Sequence, residues 1–298
     1  MMTGEREWLT ERFQQHRSHL RGVAYRMLGS VSEADDALQE AWIRIRDQDP
    51  GSVENMQAWL TTIVGRVCLN MLRARRARRE EFSDVYVPDP VVSFDDGVDP
   101  EQEALVAESV GLALLVVLDA LSPPERLAFV LHDVFGVPFA DIAAVLHRSE
   151  AAAQQLASRA RRRVHGLPMP DPDLARQRDV VDAFFAASRD GDFDALVAVL
   201  DPEVELRIDG GVLREKASLL LRGAQAVAAY SSTYSKLYPF VRPALVNGAA
   251  GAVIAPSGRV FSVMAFTVTS GKIVQIDVLA DPERLGQRGL AVPPPDEQ

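Results

Sequence analysis

The sequence predicts a multidomain protein in which two all-α domains precede an α+β domain. Helical periodicity of apolar residues dominates the first 165 positions, with an interruption rich in Asp and Pro at 83–103. A second Pro-rich break follows at 167–173, and beyond it two helices give way to alternating, strand-like segments. We therefore predict five segments, with the boundaries 1–80, 81–108, 109–166, 167–173 and 174–298.

The composition is typical of a folded protein from a reducing compartment. Its 298 residues are 47 % hydrophobic, which is enough for two or three buried cores. The single cysteine, Cys68, cannot form a disulfide within the chain, and no apolar run reaches the roughly 18–20 residues of a membrane span. We therefore expect a cytoplasmic protein that does not bind a membrane.

The first segment is predicted to form three helices. Apolar positions between Leu20 and Leu28 form one stripe that ends at Gly29, and Ser32 is predicted to cap the second helix. The third helix begins near Met56, after a polar turn that contains Pro and Gly, and continues into a run of arginines. These elements predict a helical bundle.

The charge is unevenly distributed along the chain, although the net charge is −10. Residues 66–79 carry six arginines and no acid, whereas residues 81–108 carry nine acids and no base. Four more arginines lie within 159–163. Two basic modules separated by an acidic linker are typical of a protein that contacts DNA in two places.

Residues 139–165 are predicted to form two short helices joined by a tight turn. The second helix starts after Ser149, whose hydroxyl can accept a backbone N–H of the first turn. Its inward positions recur at helical spacing: Ala153, Ala157, Ala160 and Val164. Amide, hydroxyl and guanidinium groups remain for the outer face, as suits a helix in a DNA major groove. An ordinary helical hairpin with a solvated basic face is the alternative.

The residues beyond 173 predict an α+β domain. Two amphipathic helices are expected at 174–189 and 192–200, separated by Asp190 and Gly191. A helix is also expected near 223–237, and alternating residues predict strands at 204–208, 241–246, 251–254, 259–269 and 272–279. This order predicts a curved sheet with helices on its concave side.

The first half of the chain resembles bacterial sigma factors of the extracytoplasmic-function group. The resemblance rests on DALQEAWIRI at 36–45, AWLTTIVGRVCLNMLRARRARR at 58–79 and the helix-turn-helix described above. Their order and spacing cover about 160 residues. The fold that the resemblance implies is a region 2 helical bundle, followed by a region 4 helix-turn-helix.

The C-terminal segment resembles a SnoaL-like domain of the NTF2-like fold, which is a cone-shaped α+β domain. Sigma factors with this appendage form a subgroup whose short motifs occur here in variant form. They are YVPDP at 86–90, DGGVLR at 209–214 and DPERL at 281–285.

The resemblance implies a sigma factor that binds core RNA polymerase, recognises promoter DNA and directs transcription initiation, without enzymatic activity, cofactor or metal. It assigns the helix at 32–46 to the polymerase, through Asp35, Asp36, Gln39 and Glu40. It assigns the third helix to the minus-ten promoter element, with phosphate contacts from Arg66, Arg73, Arg75, Arg76, Arg78 and Arg79. The helix after Ser149 meets the minus-thirty-five element, through Arg148, Gln154, Gln155, Ser158, Arg159, Arg161 and Arg162.

The appended domain raises the question of catalysis. No histidine follows His165, so Asp209 and Asp277 are the candidate bases, and Tyr230 and Tyr234 the candidate donors. A deep pocket that contains Asp277 would favour an enzyme, whereas a pocket filled with Phe and Leu side chains would not. Because Asp277 is expected to face solvent, we predict that the domain is not catalytic.

We expect the appended domain to modulate the sigma factor intramolecularly. The candidate docking residues are Tyr86, Pro88, Pro90, Asp209, Gly210 and Gly211. A passive dimerisation or stability module is an alternative, and an unidentified small-molecule ligand is left open. The alternative for the whole chain is a helix-turn-helix regulator that acts without polymerase and carries a ligand-binding or weakly enzymatic NTF2-like domain.

Overall fold

The structure, a computed structural model, describes residues 2–46, 53, 55–79, 85–94, 112–165, 170–211 and 218–286. The chain divides into two compact units. The first unit combines Met1–Phe82 with Val117–Gly166, and the second combines Ser83–Val116 with Leu167–Gln298. The described part of the predicted acidic linker, residues 85–94, therefore belongs to the second unit. Within the described ranges, no helix has both the length and the apolar character needed to cross a membrane.

Three long helices form the N-terminal part of the first unit: α1 (Met2–Leu28), α2 (Val31–Ile45) and α3 (Met56–Arg79). Helix α1 ends where predicted, because Gly29 adopts a φ of 71° that favours glycine. The N-cap of α2 is Ser30, whose side chain accepts a hydrogen bond from the Glu33 amide. The prediction that Ser32 caps this helix is wrong, because the chain enters α2 directly after Gly29.

The first unit also contains α4 (Leu112–Ala120), α5 (Pro123–Phe129) and a π-helical turn (Val130–Val134). The boundary between the two units falls within α4. A capping box of Ser122 and Glu125 starts α5. The helix-turn-helix follows as α6 (Phe139–Leu146) and α7 (Glu150–Val164).

The tight turn between α6 and α7 is a left-handed residue, His147, with a φ of 52°. Ser149 caps α7 as predicted, because its hydroxyl accepts a hydrogen bond from the Ala152 amide. The helix-turn-helix prediction is confirmed.

The N-terminal helices and the helix-turn-helix segment share one core. Helix α3 packs against α5 and α6, and at Gly65 an added Cβ would lie 3.0 Å from Leu131 and 3.3 Å from Leu127. A larger side chain at this position would therefore push the two segments apart.

The buried guanidinium of Arg126 lies in the same core. It donates hydrogen bonds to the carbonyl of Arg26 and to the carboxylate of Asp119. Because Arg26 belongs to α1 and Arg126 to α5, this one side chain joins the two segments.

The second unit contains one seven-stranded sheet with the order β1-β4-β5-β6-β7-β2-β3. Its strands are β1 (Val92–Ser93), β2 (Leu200–Asp209), β3 (Leu219–Arg222), β4 (Val241–Val246), β5 (Ala249–Ile254), β6 (Ser262–Thr269) and β7 (Lys272–Leu279). Strands β2 and β7 pair in parallel, and every other pair is antiparallel.

This unit also contains helices α8 (Leu174–Asp190), α9 (Phe193–Val199), α10 (Ala224–Ser232) and α11 (Pro282–Gly286), with two 3₁₀ elements (Ser235–Phe240 and Pro256–Gly258). The rings of Phe184, Phe185, Tyr238 and Phe266 pack edge to face in its core. The predicted α+β order is confirmed. Strands β1 and β3 were not predicted, and β1 lies in a segment that the sequence indicated to be a linker without regular structure.

Candidate functional site

The polar face of α2 lies beside a groove of about 360 Å³ in the first unit. Asp36 and Gln39 are exposed and line this groove together with Phe13 and Trp42, whose rings are 5.2 Å apart. The other two predicted polymerase contacts form local ion pairs. Asp35 accepts two hydrogen bonds from Arg21, and Glu40 pairs with Arg44 one turn further along the helix.

The arginines of α3 do not share one environment. Arg73 and Arg76 are exposed, whereas the side chains of Arg78 and Arg79 lie outside the described residues. Arg75 is largely buried, and it donates hydrogen bonds to the carbonyl of Leu28 and to the carboxylates of Glu33 and Asp119. The prediction that Arg75 contacts phosphate is therefore corrected: its guanidinium joins α1, α2 and α4 of the protein.

Arg66 is exposed and lies at the carbonyl end of α6. Its Nη2 atom is 3.5 Å from the Ala144 carbonyl oxygen and 3.4 Å from His147 Nε2. A cation at a helix C-terminus is favourable, because the last carbonyl groups carry partial negative charge.

A groove of about 550 Å³ runs beside Arg66 between α3 and α6. Trp59 lines it and is only half-buried. Asn55 lines the same groove, and its side-chain oxygen accepts a hydrogen bond from the Ala58 amide at the start of α3.

The outer face of α7 is polar and accessible, as the sequence predicts. Arg148 and the α7 residues Gln154, Gln155, Ser158, Arg159 and Arg162 are all exposed. Arg161 is partly exposed and forms an ion pair of 2.6 Å with Asp133. Ala153, Ala157 and Ala160 face inward together with Leu156, whereas Val164 is only half-buried.

A cluster of five residues, which we name the linker clamp, joins the 85–94 segment to the sheet of the second unit. The clamp consists of Tyr86, Val87, Asp89, Asp209 and Arg284. The guanidinium of Arg284 donates hydrogen bonds to Asp89, to Asp209 at 2.8 Å and to the Val87 carbonyl at 2.7 Å. It also lies 4.8 Å from the centre of the Tyr86 ring. One side chain therefore binds the segment and the sheet together.

The charged side chains of the clamp are paired with one another: Arg284 forms ion pairs with both Asp89 and Asp209. The carboxylates of Asp89 and Asp209 are both buried, and Asp209 also accepts a hydrogen bond from the Val87 amide at 3.0 Å. Burial by itself would lower the pKa of Arg284, but Tyr86, Asp89 and Asp209 raise it above its ordinary value. The guanidinium consequently stays charged.

The glycines of the 209–211 motif allow the backbone to pass close to α11. Gly211 adopts a φ of 68°, and a Cβ at this position would lie 2.2 Å from the Asp281 carboxylate. Its amide donates a hydrogen bond to Asp209, and the buried Gly210 donates one to Ser218. Residues 212–214 of the same motif lie outside the described residues.

Further contacts extend the clamp along the segment. Pro88 and Pro90 are buried, and Val91 exchanges hydrogen bonds of 3.0 and 2.8 Å with Asn247. Strand β1 then pairs with β4. Sequence reasoning selected Tyr86 and Asp209 but missed Asp89 and Arg284, although both lie in the short motifs and carry opposite charges.

Asp277 is buried, so the prediction that it faces solvent is wrong. Its carboxylate accepts hydrogen bonds from Arg207 at 2.9 Å and from Gln275 at 2.7 Å. Burial raises the pKa of Asp277 to about 6, although Arg207 and Gln275 oppose the shift. Its neighbours along β7, Ile276 and Val278, line an apolar pocket on the other face of the sheet. Neither Asp277 nor Asp209 lines that pocket, so the arrangement that would favour an enzyme is absent from the described residues.

Comparison with known proteins identifies the class. The chain matches the Sigma-70 region 2 family over residues 12–78 and the Sigma-70, region 4 family over residues 111–164. These matches cover the bundle that presents Asp36 and Arg66, and the helix-turn-helix with its exposed α7 face. They define a sigma-70-type transcription initiation factor.

The similarity to individual relatives extends across both units. The chain is 40 % identical over 287 residues to the ECF RNA polymerase sigma factor SigJ of Mycobacterium tuberculosis, covering 91 % of each protein. It is 33 % identical over 283 residues to the probable ECF RNA polymerase sigma factor SigI of the same species, covering 91 % of this chain and 92 % of the relative. The crystal structure of M. tuberculosis SigJ superimposes with a TM-score of 0.76 and 36 % identity, covering 94 % of this chain and 99 % of that one.

The chain belongs to the extracytoplasmic-function group of RNA polymerase sigma factors. It binds core RNA polymerase and promoter DNA, directs transcription initiation and is not an enzyme. The resemblance to this group of sigma factors is confirmed, as is the fold of two helical sigma regions followed by an α+β domain. The match to region 2 argues against a regulator that acts without polymerase.

Proposed function

We propose that the C-terminal unit modulates this sigma factor by holding residues 85–94 in the linker clamp. The observation that carries the proposal is the position of Arg284, which binds Asp89 and Val87 of the segment and Asp209 of the sheet simultaneously. Separating a buried carboxylate from the cation that pairs with it is unfavourable. The segment is therefore expected to be either fully bound or released, which is the behaviour a switch requires.

The clamp lies between the two promoter-reading regions along the chain. The region 2 match ends at residue 78 and the region 4 match begins at residue 111, so 85–94 falls between them. The minus-ten and minus-thirty-five elements are about 25 base pairs apart, or about 85 Å at 3.4 Å per base pair. Helices α3 and α6 are packed together, so they must separate before both elements are read. Clamping shortens the free chain between the regions, and we infer that it restrains this separation.

The proposed surfaces follow the predicted residues with one change. The polymerase surface consists of Asp35, Asp36, Gln39 and Glu40. The minus-ten surface consists of Arg66, Arg73, Arg76, Arg78 and Arg79 without Arg75, and the minus-thirty-five surface of Arg148, Gln154, Gln155, Ser158, Arg159, Arg161 and Arg162. We place the protein in the cytoplasm, where RNA polymerase acts, and we retain the five predicted segments as proposed boundaries.

The test is in vitro transcription with core RNA polymerase on a pool of promoter fragments. We expect Arg284→Ala to increase promoter-specific transcripts, because the segment is released. Arg222→Ala is the matched control, since Arg222 forms its ion pair with Glu205 of the same unit, which is not a clamp residue. Unchanged transcript levels with a folded Arg284→Ala protein would contradict the proposal.

A further inference from the structure

One end of the sheet in the second unit is basic, although the whole chain has a net charge of −10. Residues 216–276 contain six lysines and arginines and no Asp or Glu. Three of these cations, Lys236, Arg242 and Arg259, lie at the end of the sheet where β4 begins and β5 ends. A local excess of positive charge in an acidic chain indicates a surface that meets a polyanion.

The backbone brings this end of the sheet together. The 3₁₀ helix that carries Lys236 ends at Phe240, whose carbonyl accepts a hydrogen bond of 3.0 Å from the Ala255 amide just after β5. The second 3₁₀ element, Pro256–Gly258, follows at once, and Arg259 comes directly after it. Phe240 therefore connects, through one backbone hydrogen bond, the segment that carries Lys236 to the segment that carries Arg259.

Within the described ranges, no carboxylate forms an ion pair with these three cations. Lys236 and Arg259 are exposed, and Arg242 is half-buried with one hydrogen bond from its guanidinium to the Val241 carbonyl. Arg222 on the edge strand β3 differs, because it already pairs with a carboxylate of β2. The positive charge at the other end of the sheet is therefore available to a partner.

Phe240 adds an aromatic ring to this charged surface. The residue is 37 % exposed, and an apolar ring in water gains free energy when a partner covers it. Ammonium and guanidinium groups bind phosphates, and an aromatic ring stacks on the face of an unpaired base. In a duplex the faces of the bases are stacked on one another, so the combination fits a single strand. Because the chain binds promoter DNA, a nucleic acid is favoured over an anionic membrane.

We propose that these four residues, which we name the basic end, bind single-stranded DNA. One base stacks on Phe240, and the neighbouring phosphates pair with Lys236, Arg242 and Arg259. Transcription initiation separates the promoter strands, so single-stranded DNA is present where the protein acts. None of the four residues belongs to the linker clamp, so the proposal does not depend on the proposed function of the clamp.

Photocrosslinking of the full chain locates the strand. The probe is a thymidine oligomer of about 12 nucleotides, within the range of site sizes for single-strand binding, in which one base is 5-iodouracil. Ultraviolet light joins this base to an aromatic side chain stacked on it, and peptide mass spectrometry identifies the residue. We expect a cross-link at Phe240 whose yield saturates with oligomer concentration. Its midpoint then gives the Kd of the basic end alone.

The salt dependence of this Kd counts the phosphate contacts. Three contacts with a single strand predict an affinity that falls about 20-fold between roughly 50 and 200 mM salt. Arg259→Gln keeps two of the contacts, so its affinity should fall only about 7-fold over the same range. Arg222→Gln is the matched control, because it removes an exposed arginine from the same unit, and it should behave as the wild type.

Several outcomes would overturn the proposal. One is a cross-link at Phe240 that is absent or does not saturate, and another is the same salt dependence in Arg259→Gln as in Arg222→Gln. Equal competition for the Phe240 cross-link by the oligomer annealed to its complement would identify duplex DNA as the ligand instead. Equal competition by vesicles of anionic phospholipid would identify a membrane.

Discussion

The arginines of this chain fall into two groups that differ in the surroundings of their guanidinium groups. Arg75, Arg126 and Arg284 are enclosed by carboxylates and carbonyl oxygens of the protein itself. Arg73 and Arg162, by contrast, are exposed. Arg75 and Arg73 lie in the same basic run of one helix, so the run does not distinguish them. The difference teaches that a basic stretch marks a candidate DNA surface only after the arginines that stabilise the fold are removed from it.

The strongest test of this comparison is Arg126→Ala. Arg126 is 1 % exposed and binds the Arg26 carbonyl and Asp119, so its removal should lower the free energy of unfolding of the first unit by about 3–5 kcal/mol. All three tryptophans, Trp8, Trp42 and Trp59, lie in that unit, so their fluorescence in urea reports its unfolding. The exposed control Arg162→Ala should change the value by less than about 0.5 kcal/mol. Equal losses in both variants would remove the distinction between the two groups.

The second test concerns Asp277, which is paired with the enclosed Arg207. Its folded pKa of about 6 lies above its ordinary value of 3.8, so the folded state binds more protons between these values. The contribution of Asp277 to the stability of the second unit should therefore be greatest below pH 4 and should fall, by about 3 kcal/mol, as the pH rises through 6. Urea unfolding, followed by the ¹³C-methyl NMR signal of Met264, measures this dependence, because Met264 is buried in the second unit.

Asp277→Asn is the control for the pH dependence, because it keeps the shape of the side chain and removes the titration. The fall between pH 4 and 6 should be absent from this variant. A wild-type stability that rises relative to that of Asp277→Asn over this range would mean that Arg207 outweighs burial.

The third test concerns Gly211, which lies in the backbone directly after the clamp residue Asp209. Gly211→Ala combines a positive φ with a collision against Asp281, so it should lower the stability of the second unit by about 1–3 kcal/mol. Gly258→Ala separates the two causes, because Gly258 has a φ of 76° but nothing within 4 Å. Gly286→Ala, with open space and no positive φ, should have little effect. Equal losses at Gly211 and Gly258 would show that the collision with Asp281 contributes nothing.

The element order was predictable because helices and paired strands leave a period in the sequence. The bounds Val241–Val246 and Lys272–Leu279 agree with the prediction. Strand β1 was not predictable, because two residues have no period and their strand exists only through pairing with β4. Strand β3 reads LLLR and shows no alternation.

The site was less predictable than the fold. Alternation shows that Asp277 lies on the opposite face from Ile276, but it cannot show that both faces are buried. The clamp depends on a contact between Arg284 and Asp89, which are 195 positions apart. The resemblance pointed to the motifs at 86–90 and 281–285 that contain these residues. The local sequence does not show which charged side chains form ion pairs.

The smallest expected effect concerns the arginines outside the enclosed group. It compares two neighbouring arginines of α7, Arg161 and Arg162. Arg162 is exposed, whereas Arg161 already pairs with Asp133 at 2.6 Å. In the polymerase holoenzyme, Arg162→Ala should reduce the slope of log affinity against log salt concentration by about 0.9, the value for one phosphate contact. Arg161→Ala should change the slope by less, since the ion pair with Asp133 must break before Arg161 meets a phosphate. Filter binding to promoter DNA at several salt concentrations gives both slopes. If Arg161→Ala reduces the slope as much as Arg162→Ala, an exposed ion pair does not prevent an arginine from contacting DNA. The enclosed and the exposed arginines would then differ only in the burial of their guanidinium groups.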